Sequence, residues 1–246
     1  MKSFVFLGIV VATLCASFGL ELPSFLHVCS RNDPNLGQCI INSVYNFMPY
    51  LKNGLPDYKI PSLEPLLLKE LTSTSGGNIK LKLSNVNVYG ASDVILKRIN
   101  ANMQKLRFII DLDLPKLRIE GGYNIDGQLI LLRIRGDGPV NGNFTNCKAS
   151  VKLQLEKTKG ADGDTYLKVS TLQTKIAVGG GKLRLQNLFG GDPALGEAVN
   201  GAINSNFDSF IQELTPALES AISSTFTQIA DSVLSQFSYD TLFPDA

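Results

Sequence analysis

The longest regular pattern in the chain lies near its C-terminus. Leu195, Val199, Ile203, Phe207, Phe210, Ile211, Leu214, Leu218, Ile222, Phe226, Ile229, Val233 and Phe237 follow one another in steps that are almost all three or four. That spacing puts them on one face of an amphipathic helix. An unbroken helix of these 43 residues would extend about 64 Å at about 1.5 Å per residue. A compact sphere built from a chain of this length measures only roughly 45 Å across. The helix therefore breaks, or the molecule is elongated around it. Pro216 is the predicted kink, or the junction between two collinear segments.

A second helical pattern, Ile40, Ile41, Val44, Tyr45, Met48 and Leu51, predicts a helix that follows Cys39 and ends near Pro49. Three prolines within residues 56–65 then exclude a regular helix or a central strand. That stretch reads as an extended linker, with residues 63–68 packed on the body.

Over residues 79–188 the period changes to two. Ile79, Leu81 and Leu83 alternate with lysines and a serine, and Val86 and Val88 with asparagines. Phe108, Ile110, Leu112 and Leu114 face one side of the next run, and Leu117 and Ile119 flank Arg118. Leu129, Leu131 and the shifted pair Leu132 and Ile134 suggest a bulge. Val151, Leu153 and Leu155 follow, then Leu167, Val169, Leu172, Ile176 and Val178, and finally Leu183 and Leu185. Turn chemistry is read between these runs at Gly121-Gly122, Asp126-Gly127, Gly136-Asp137-Gly138-Pro139, Asn141-Gly142, 160–163 and Gly179-Gly180-Gly181. About six antiparallel strands with one apolar face result. That face needs a partner, and the long C-terminal helix is the element large enough to supply it. The predicted fold class is α+β: a long C-terminal helix wrapped by a strongly curved antiparallel sheet.

Residues 1–19 read as a secretory signal. Lys2 gives the positive start, an apolar core follows, and Ser17 and Gly19 suit cleavage after Gly19. The remainder, 20–246, is expected to be one domain. It carries 22 basic and 22 acidic side chains, a balance that argues against nucleic acid as a partner. Hydrophobic residues make up 44% of the chain, enough for a core, and no other stretch is long and apolar enough for stable membrane insertion. Cys29, Cys39 and Cys147 remain after cleavage. The turn-forming Asn-Asp-Pro-Asn and Gly37 between the first two predict the bridge Cys29–Cys39, leaving Cys147 as a buried, inert thiol. Asn143-Phe144-Thr145 is a glycosylation sequon, to be used if its tip is exposed.

Catalytic chemistry is hard to assemble. His27 is the sole histidine, without a second ligand cluster or a nucleophile elbow, so it reads as a surface or packing residue. Gly136-Asp137-Gly138 continues into a proline and fits a hairpin turn better than a phosphate loop, and Gly179-Gly180-Gly181 lacks the Lys-Ser or Lys-Thr of a P-loop. Asp111 and Asp113 lie on the polar side of their strand. No enzyme activity, cofactor or metal is expected. A curved sheet facing a helix is hard to fill with side chains. It ends either as a well-packed core or as an apolar channel, and periodicity alone does not choose between them.

Several segments, in order, resemble one family. They are Cys29 and Cys39 with Asp33-Pro34 between them, Gly54-Leu55-Pro56, Ile60-Pro61-Ser62-Leu63-Glu64-Pro65, Leu114-Pro115-Lys116-Leu117, Gly122-Tyr123, Gly136-Asp137-Gly138 and the terminal Tyr239-Asp240-Thr241-Leu242-Phe243-Pro244. Together they resemble the insect takeout and haemolymph juvenile hormone-binding proteins. The resemblance implies a tubular lipid-binding (TULIP-like) fold with an elongated apolar tunnel, and the N-terminal bridge Cys29–Cys39. The hormone-carrier branch usually has a second bridge. This chain has only Cys147 left for it and sits closer to the takeout-like branch, which puts juvenile hormone itself in doubt as the ligand.

The expected function is that of a secreted, extracellular carrier, in haemolymph or sensory lymph. Its ligand would be a small or elongated hydrophobic molecule: a juvenile hormone-like terpenoid, a fatty acid or an isoprenoid. The resemblance attaches circadian, feeding or other behavioural and hormonal signalling to such a carrier. Phe207, Phe210, Ile211, Leu214 and Leu218 are the expected helix wall, with Phe108, Ile110, Leu112 and Leu131 opposite, and Tyr45 or Tyr123 as a polar handle. A monomer is expected, and a receptor is left open. The alternative is an extracellular interaction or signalling protein whose apolar interior is structural only. A weaker alternative is an innate-immunity lipid binder, whose basic tip is missing here.

Overall fold

The computed structural model describes residues 21–72, 79–129 and 132–245. The signal segment and its cleavage point at Gly19, and Leu131, lie outside the described residues.

Helix α1 (Leu36–Asn53) starts three residues before Cys39 and runs through Pro49, four residues beyond the expected end. Pro49 is exposed, so the hydrogen bond it cannot donate is lost on the solvent side, and the chain stops only at Gly54, with φ 76°. The proline-rich stretch holds a short 3₁₀ turn, Pro56–Tyr58. Glu64 then ties it to the body, accepting from Gly90 N at 3.0 Å and Ser92 N at 2.9 Å.

One seven-stranded antiparallel sheet follows: β1 (Leu66–Thr72), β2 (Ile79–Tyr89), β3 (Ile95–Asn102), β4 (Arg107–Leu129), β5 (Leu132–Lys159), β6 (Thr165–Ala177) and β7 (Gly180–Leu185). The spatial order is β1-β2-β4-β5-β6, with β3 on the first half of β4 and β7 on the first half of β5. The two central strands are far longer than expected, at 23 and 28 residues. Gly121-Gly122, Asp126-Gly127, Gly136-Asp137-Gly138 and Asn141-Gly142 lie inside them and are not turns. These glycines serve close approach: a Cβ on Gly121 would fall 3.0 Å from Val86 Cα, and one on Gly142 2.8 Å from Leu183 Cδ2. Leu129 pairs with Leu132, so the apolar shift read as a bulge marks the β4–β5 reversal.

Along β4 the buried face changes parity. Phe108, Ile110, Leu112 and Leu114 share one face with their partners Leu153, Val151, Ala149 and Cys147. Beyond Pro115 the inward positions become Leu117, Ile119, Tyr123 and Ile125. The change occurs between the pairs Leu114–Cys147 and Lys116–Thr145, where Asn146 on β5 is left-handed, with φ 54°. At the same level Val178 and Gly179 separate β6 from β7. The sheet is thus two curled halves sharing β4 and β5.

The C-terminal stripe forms α2 (Pro193–Ser205) and α3 (Phe207–Leu234), followed by α4 (Tyr239–Leu242). The break falls at Asn206 (φ −119°, ψ 34°), ten residues before the predicted Pro216. Pro216 sits inside α3, and both it and Gln212, whose carbonyl loses its donor, are exposed. Asp192 caps α2 by accepting from Leu195 N at 3.0 Å. Helix α3 lies against β6, β7 and β1, the edges of the sheet. It closes a curled half-barrel along its seam, as the α+β reading anticipates.

The seam is joined through polar side chains. Asn204 on α2 donates to Leu183 O and accepts from Leu183 N, both at 2.8 Å. Asn200, one turn earlier, makes the same pair with Leu185. On α3, Glu219, Ser223 and Asp231 accept from Ile176 N (3.0 Å), Thr174 N (2.9 Å) and Val169 N (2.7 Å) on β6. An edge strand that would otherwise present bare amides is covered by a helix.

Candidate functional site

Burial along the inner face is uneven. One core fills the end formed by β1, β2, β7, α2 and the start of α3, with Ile125, Ile134, Ile203 and Phe210 almost fully enclosed. A second core, of Leu106, Phe108, Leu155, Leu167, Val169 and Tyr239, fills the other end. Between them Ile110, Leu112, Leu114, Ala149 and Val151 are only half-buried, although they continue the face that carries Phe108. The helix shows the same lapse. Leu214 is 5% exposed, Leu218, Ile222, Ile229 and Val233 are half-buried, Phe226 is 38% exposed, and Phe237 is buried again at 4%. Leu195, the first residue of the stripe, is exposed.

The expected wall residues therefore divide. Phe207, Phe210, Ile211 and Leu214 pack in the first core and Phe108 in the second. Ile110 and Leu112 fall in the half-buried belt between them, and Leu218, also half-buried, packs against the first core. Neither tyrosine offers a spare hydroxyl there. Tyr45 is 41% exposed on α1 and accepts from Leu96 N at 2.8 Å, at the outer edge of β3. Tyr123 is buried and donates to Gln186 O at 2.7 Å. Burial, then the nearby Asp137 charge, push the Tyr123 phenol up to about 12.

The end beside the second core is tied by its terminal segments. Cys29 and Cys39 are bonded. The sulfurs and a His27 nitrogen lie within 4.8 Å of one another, but the two thiols are consumed by their bond. Arg31 reaches the C-terminal tail: its Nε donates to Phe243 O at 2.7 Å, its backbone N to Pro244 O at 2.9 Å, and its guanidinium pairs with Asp240 and Asp245. The Asp240 bond holds its pKa above the ordinary arginine value. Phe243 stacks on Phe108 with ring centroids 6.2 Å apart. A polar cleft of about 890 Å³ opens beside this knot, lined by Arg31, Asp33, Arg98, Asn102 and Lys157, with Tyr239 at its edge. Its polarity separates it from the apolar belt.

The sequence profile of the haemolymph juvenile hormone binding protein (JHBP) family matches residues 7–244. The chain belongs to that family. Among relatives of this chain, the circadian clock-controlled protein daywake of Drosophila melanogaster is 26% identical over 250 residues, 97% of this chain and 95% of that one. A putative beta-carotene-binding protein of Schistocerca gregaria is 24% identical over 217 residues, covering 87% and 86%. The crystal structure of Epiphyas postvittana Takeout 1 superposes with a TM-score of 0.74 at 20% identity, covering 88% of this chain and 99% of that one. That superposition establishes the tubular lipid-binding fold. The resemblance drawn from the ordered segments thus holds at the level of family and fold.

One feature of this chain escapes a reading by periodicity. Asn200 and Asn204, and Glu219, Ser223 and Asp231, are a polar stripe bordering the apolar one, visible only as a spacing of four and eight. Cys147 is buried, and burial raises its pKa, as an inert thiol requires. The sequon Asn143 is exposed on β5, inside the sheet and not at a turn tip.

Proposed function

We propose that this protein is a secreted carrier that holds a hydrophobic ligand in the belt between its two packed cores. The observation that carries the reading is the interruption of burial along one continuous apolar face. Phe108 and Leu214 are packed at the two ends, while Ile110, Leu112, Leu114 and Val151 on the sheet and Ile222 on α3 are only half-buried between them. Covering that surface with an apolar molecule yields about 25 cal/mol per Å² removed from water. A ligand burying a few hundred Å² gains several kcal/mol from that term, enough to offset ordering costs at micromolar affinity.

Family membership supports the same reading. The named relatives include a putative beta-carotene-binding protein, and the family itself is described by juvenile hormone binding. The ligand class proposed here is a terpenoid, fatty acid or isoprenoid. Residues 1–19 would direct the chain to secretion, residues 20–246 would act as one lipid-binding domain, and Asn143 would carry a glycan on the outer face. The protein would act as a monomeric binder without catalysis. No described helix is long and apolar enough to cross a membrane. The name of the daywake relative supports a role in clock-linked signalling.

Native mass spectrometry of protein purified from its own tissue, followed by lipid extraction, tests the proposal. One lipid per chain is the expected result. Protein that is repeatedly empty, and does not displace a fluorescent fatty acid at micromolar concentration, would overturn it in favour of an interaction protein with a structural interior.

A further inference from the structure

The 22 basic and 22 acidic side chains of residues 20–246 balance in number but not in place. Residues 66–185, which hold the sheet, carry 19 lysines and arginines against 10 acids. Residues 186–246, which hold α2, α3 and α4, carry 8 acids and no lysine, arginine or histidine. Contact between the two parts cancels little of that difference. Among the described residues, Lys175–Glu219 and Arg184–Glu197 are the ion pairs that join sheet to helix.

Strand alternation turns the basic excess outward. Ala149 and Val151 share the inner face with Leu112 and Ile110, so Lys148 and Lys152 stand on the outer one. Arg107 lies opposite Gln154, Lys116 opposite Thr145 and Lys182 on β7 opposite Asn143, all on that outer face. These five side chains are exposed, and among the described residues none of them enters an ion pair or a side-chain hydrogen bond. The neighbouring acids are already held: Asp111 by Arg98 at 2.6 Å, Asp113 by Lys97 at 3.4 Å, and Glu120 by Arg118.

The five free cations form a line. Measured along β5 they run from the level of Gln154 to that of Asn143, roughly 36 Å at about 3.3 Å per residue. Across the sheet they keep to β4, β5 and β7, three adjoining strands that span about 10 Å. A stripe of this shape on the convex side of a curled sheet matches a charged chain laid along it better than a flat charged surface. Ile109, Thr145 and Ser150 stand between the cations, and no aromatic ring does, so nothing is offered for a nucleic-acid base to stack on. Four of the five are lysines, compact point charges suited to isolated anionic groups. We propose that the outer face of β4, β5 and β7 binds a linear sulfated polysaccharide along this stripe. A chain of zero net charge would thereby be held on a polyanionic matrix by one side only. The inference does not depend on the carrier reading, since the stripe lies on the opposite face of the sheet from the belt.

The test measures binding of the full chain to heparin at neutral pH over a range of salt. The sequon Asn143 sits between Arg118 and Lys182 at one end of the stripe, so the substitutions are placed toward the other. The wild type should be retained on immobilised heparin at about 50 mM NaCl and released by about 1 M, where charges are screened within about 3 Å. Lys148→Gln with Lys152→Gln should weaken binding at least tenfold and lower the slope of log affinity against log salt by about two. Lys69→Gln with Lys80→Gln removes the same charge from β1 and β2, away from the stripe, and should stay within about twofold of wild type. All four lysines are exposed, so both double variants should keep the wild-type urea midpoint. Failure of the wild type to be retained, or equal weakening by the two double variants, would overturn the assignment. Tighter binding to phosphatidylserine vesicles or to single-stranded DNA than to heparin at equal salt would overturn it too, in favour of a lipid surface or a nucleic acid.

Discussion

Asn200 and Leu185 exchange two hydrogen bonds: Leu185 N donates to Asn200 Oδ1 at 2.8 Å, and Asn200 Nδ2 donates to Leu185 O at 2.9 Å. The carboxamide copies the pattern of a neighbouring strand, so a helix side chain completes the ladder at the free edge of β7. Asn200 is itself 6% exposed and Leu185 5%. Replacing it with alanine would strand a donor and an acceptor out of reach of water, at about 1–3 kcal/mol each. Asn200→Ala should therefore lower stability by about 2–4 kcal/mol in urea unfolding. A loss below about 0.5 kcal/mol would show that water replaces the amide. Asn200→Asp should restore only half the pair, because a carboxylate cannot donate to Leu185 O.

The same pairing explains what was and was not legible in the chain. The period-two runs located the sheet, and the stripe of threes and fours located the helix. Within the stripe Pro216 is the stronger local signal for a break, yet the break falls at Asn206. Pro216 loses a single bond on the solvent side, whereas Asn206 lies where the helix passes from serving β7, through Asn200 and Asn204, to serving β6, through Glu219, Ser223 and Asp231. Tertiary pairing decided the break. The glycines are ambiguous for a related reason: Gly121 and Gly142 fit a turn and a close strand contact equally well by composition. Only long-range neighbours such as Val86 and Leu183 tell the two apart. The belt was half legible. Ile110 and Leu112 share their periodicity with packed residues such as Phe108, since periodicity identifies a face and not how well that face is filled.

The belt makes a prediction opposite to that of an ordinary core. Enlarging a side chain in a filled interior costs about 1–3 kcal/mol. Leu112 is half-buried and its neighbours on the same face are too. Leu112→Trp should therefore leave the urea midpoint within about 1 kcal/mol of wild type while reducing displacement of a fluorescent fatty acid at least tenfold. The chain has no other tryptophan, so indole fluorescence reports the site directly, and its blue shift on ligand addition gives a second reading. Leu214→Ala, in the packed core, should show the reverse pattern, losing about 2–5 kcal/mol of stability.

Arg31 links the disulfide loop to the last residues of the chain, and its contacts predict where the molecule opens first. Removing the guanidinium in Arg31→Ala deletes the bond to Phe243 O and the pairs with Asp240 and Asp245, along with the stacking of Arg31 on the Tyr239 ring at 4.4 Å. The backbone bond from residue 31 to Pro244 O and the ring contact of Phe243 with Phe108 would remain. Amide hydrogen exchange over residues 238–245 should quicken about tenfold, while Leu183 and Leu185 on β7 keep their protection. Uniform exchange across both regions would mean that the tail does not open as a separate unit.

The buried phenol of Tyr123 predicts how stability responds to alkali. Its pKa is pushed up to about 12 in the folded protein, chiefly by burial and secondly by Asp137, from an ordinary value of about 10 in an unfolded chain. Between those values the unfolded state releases the proton and the folded state keeps it. The unfolded state therefore binds fewer protons, and stability must fall as pH rises. The contribution is fully present below about pH 10 and is lost progressively through about pH 12, at a limiting slope of about 1.4 kcal/mol per pH unit. Urea unfolding of the wild type at pH 9 and pH 11.5 should differ by about 1–2 kcal/mol more than in Tyr123→Phe. At pH 9 the variant should already be weaker by about 1–2 kcal/mol, because Gln186 O loses its donor. Parallel pH profiles for the two proteins would show that the phenol ionises without unfolding, and that the inner face at Tyr123 admits water.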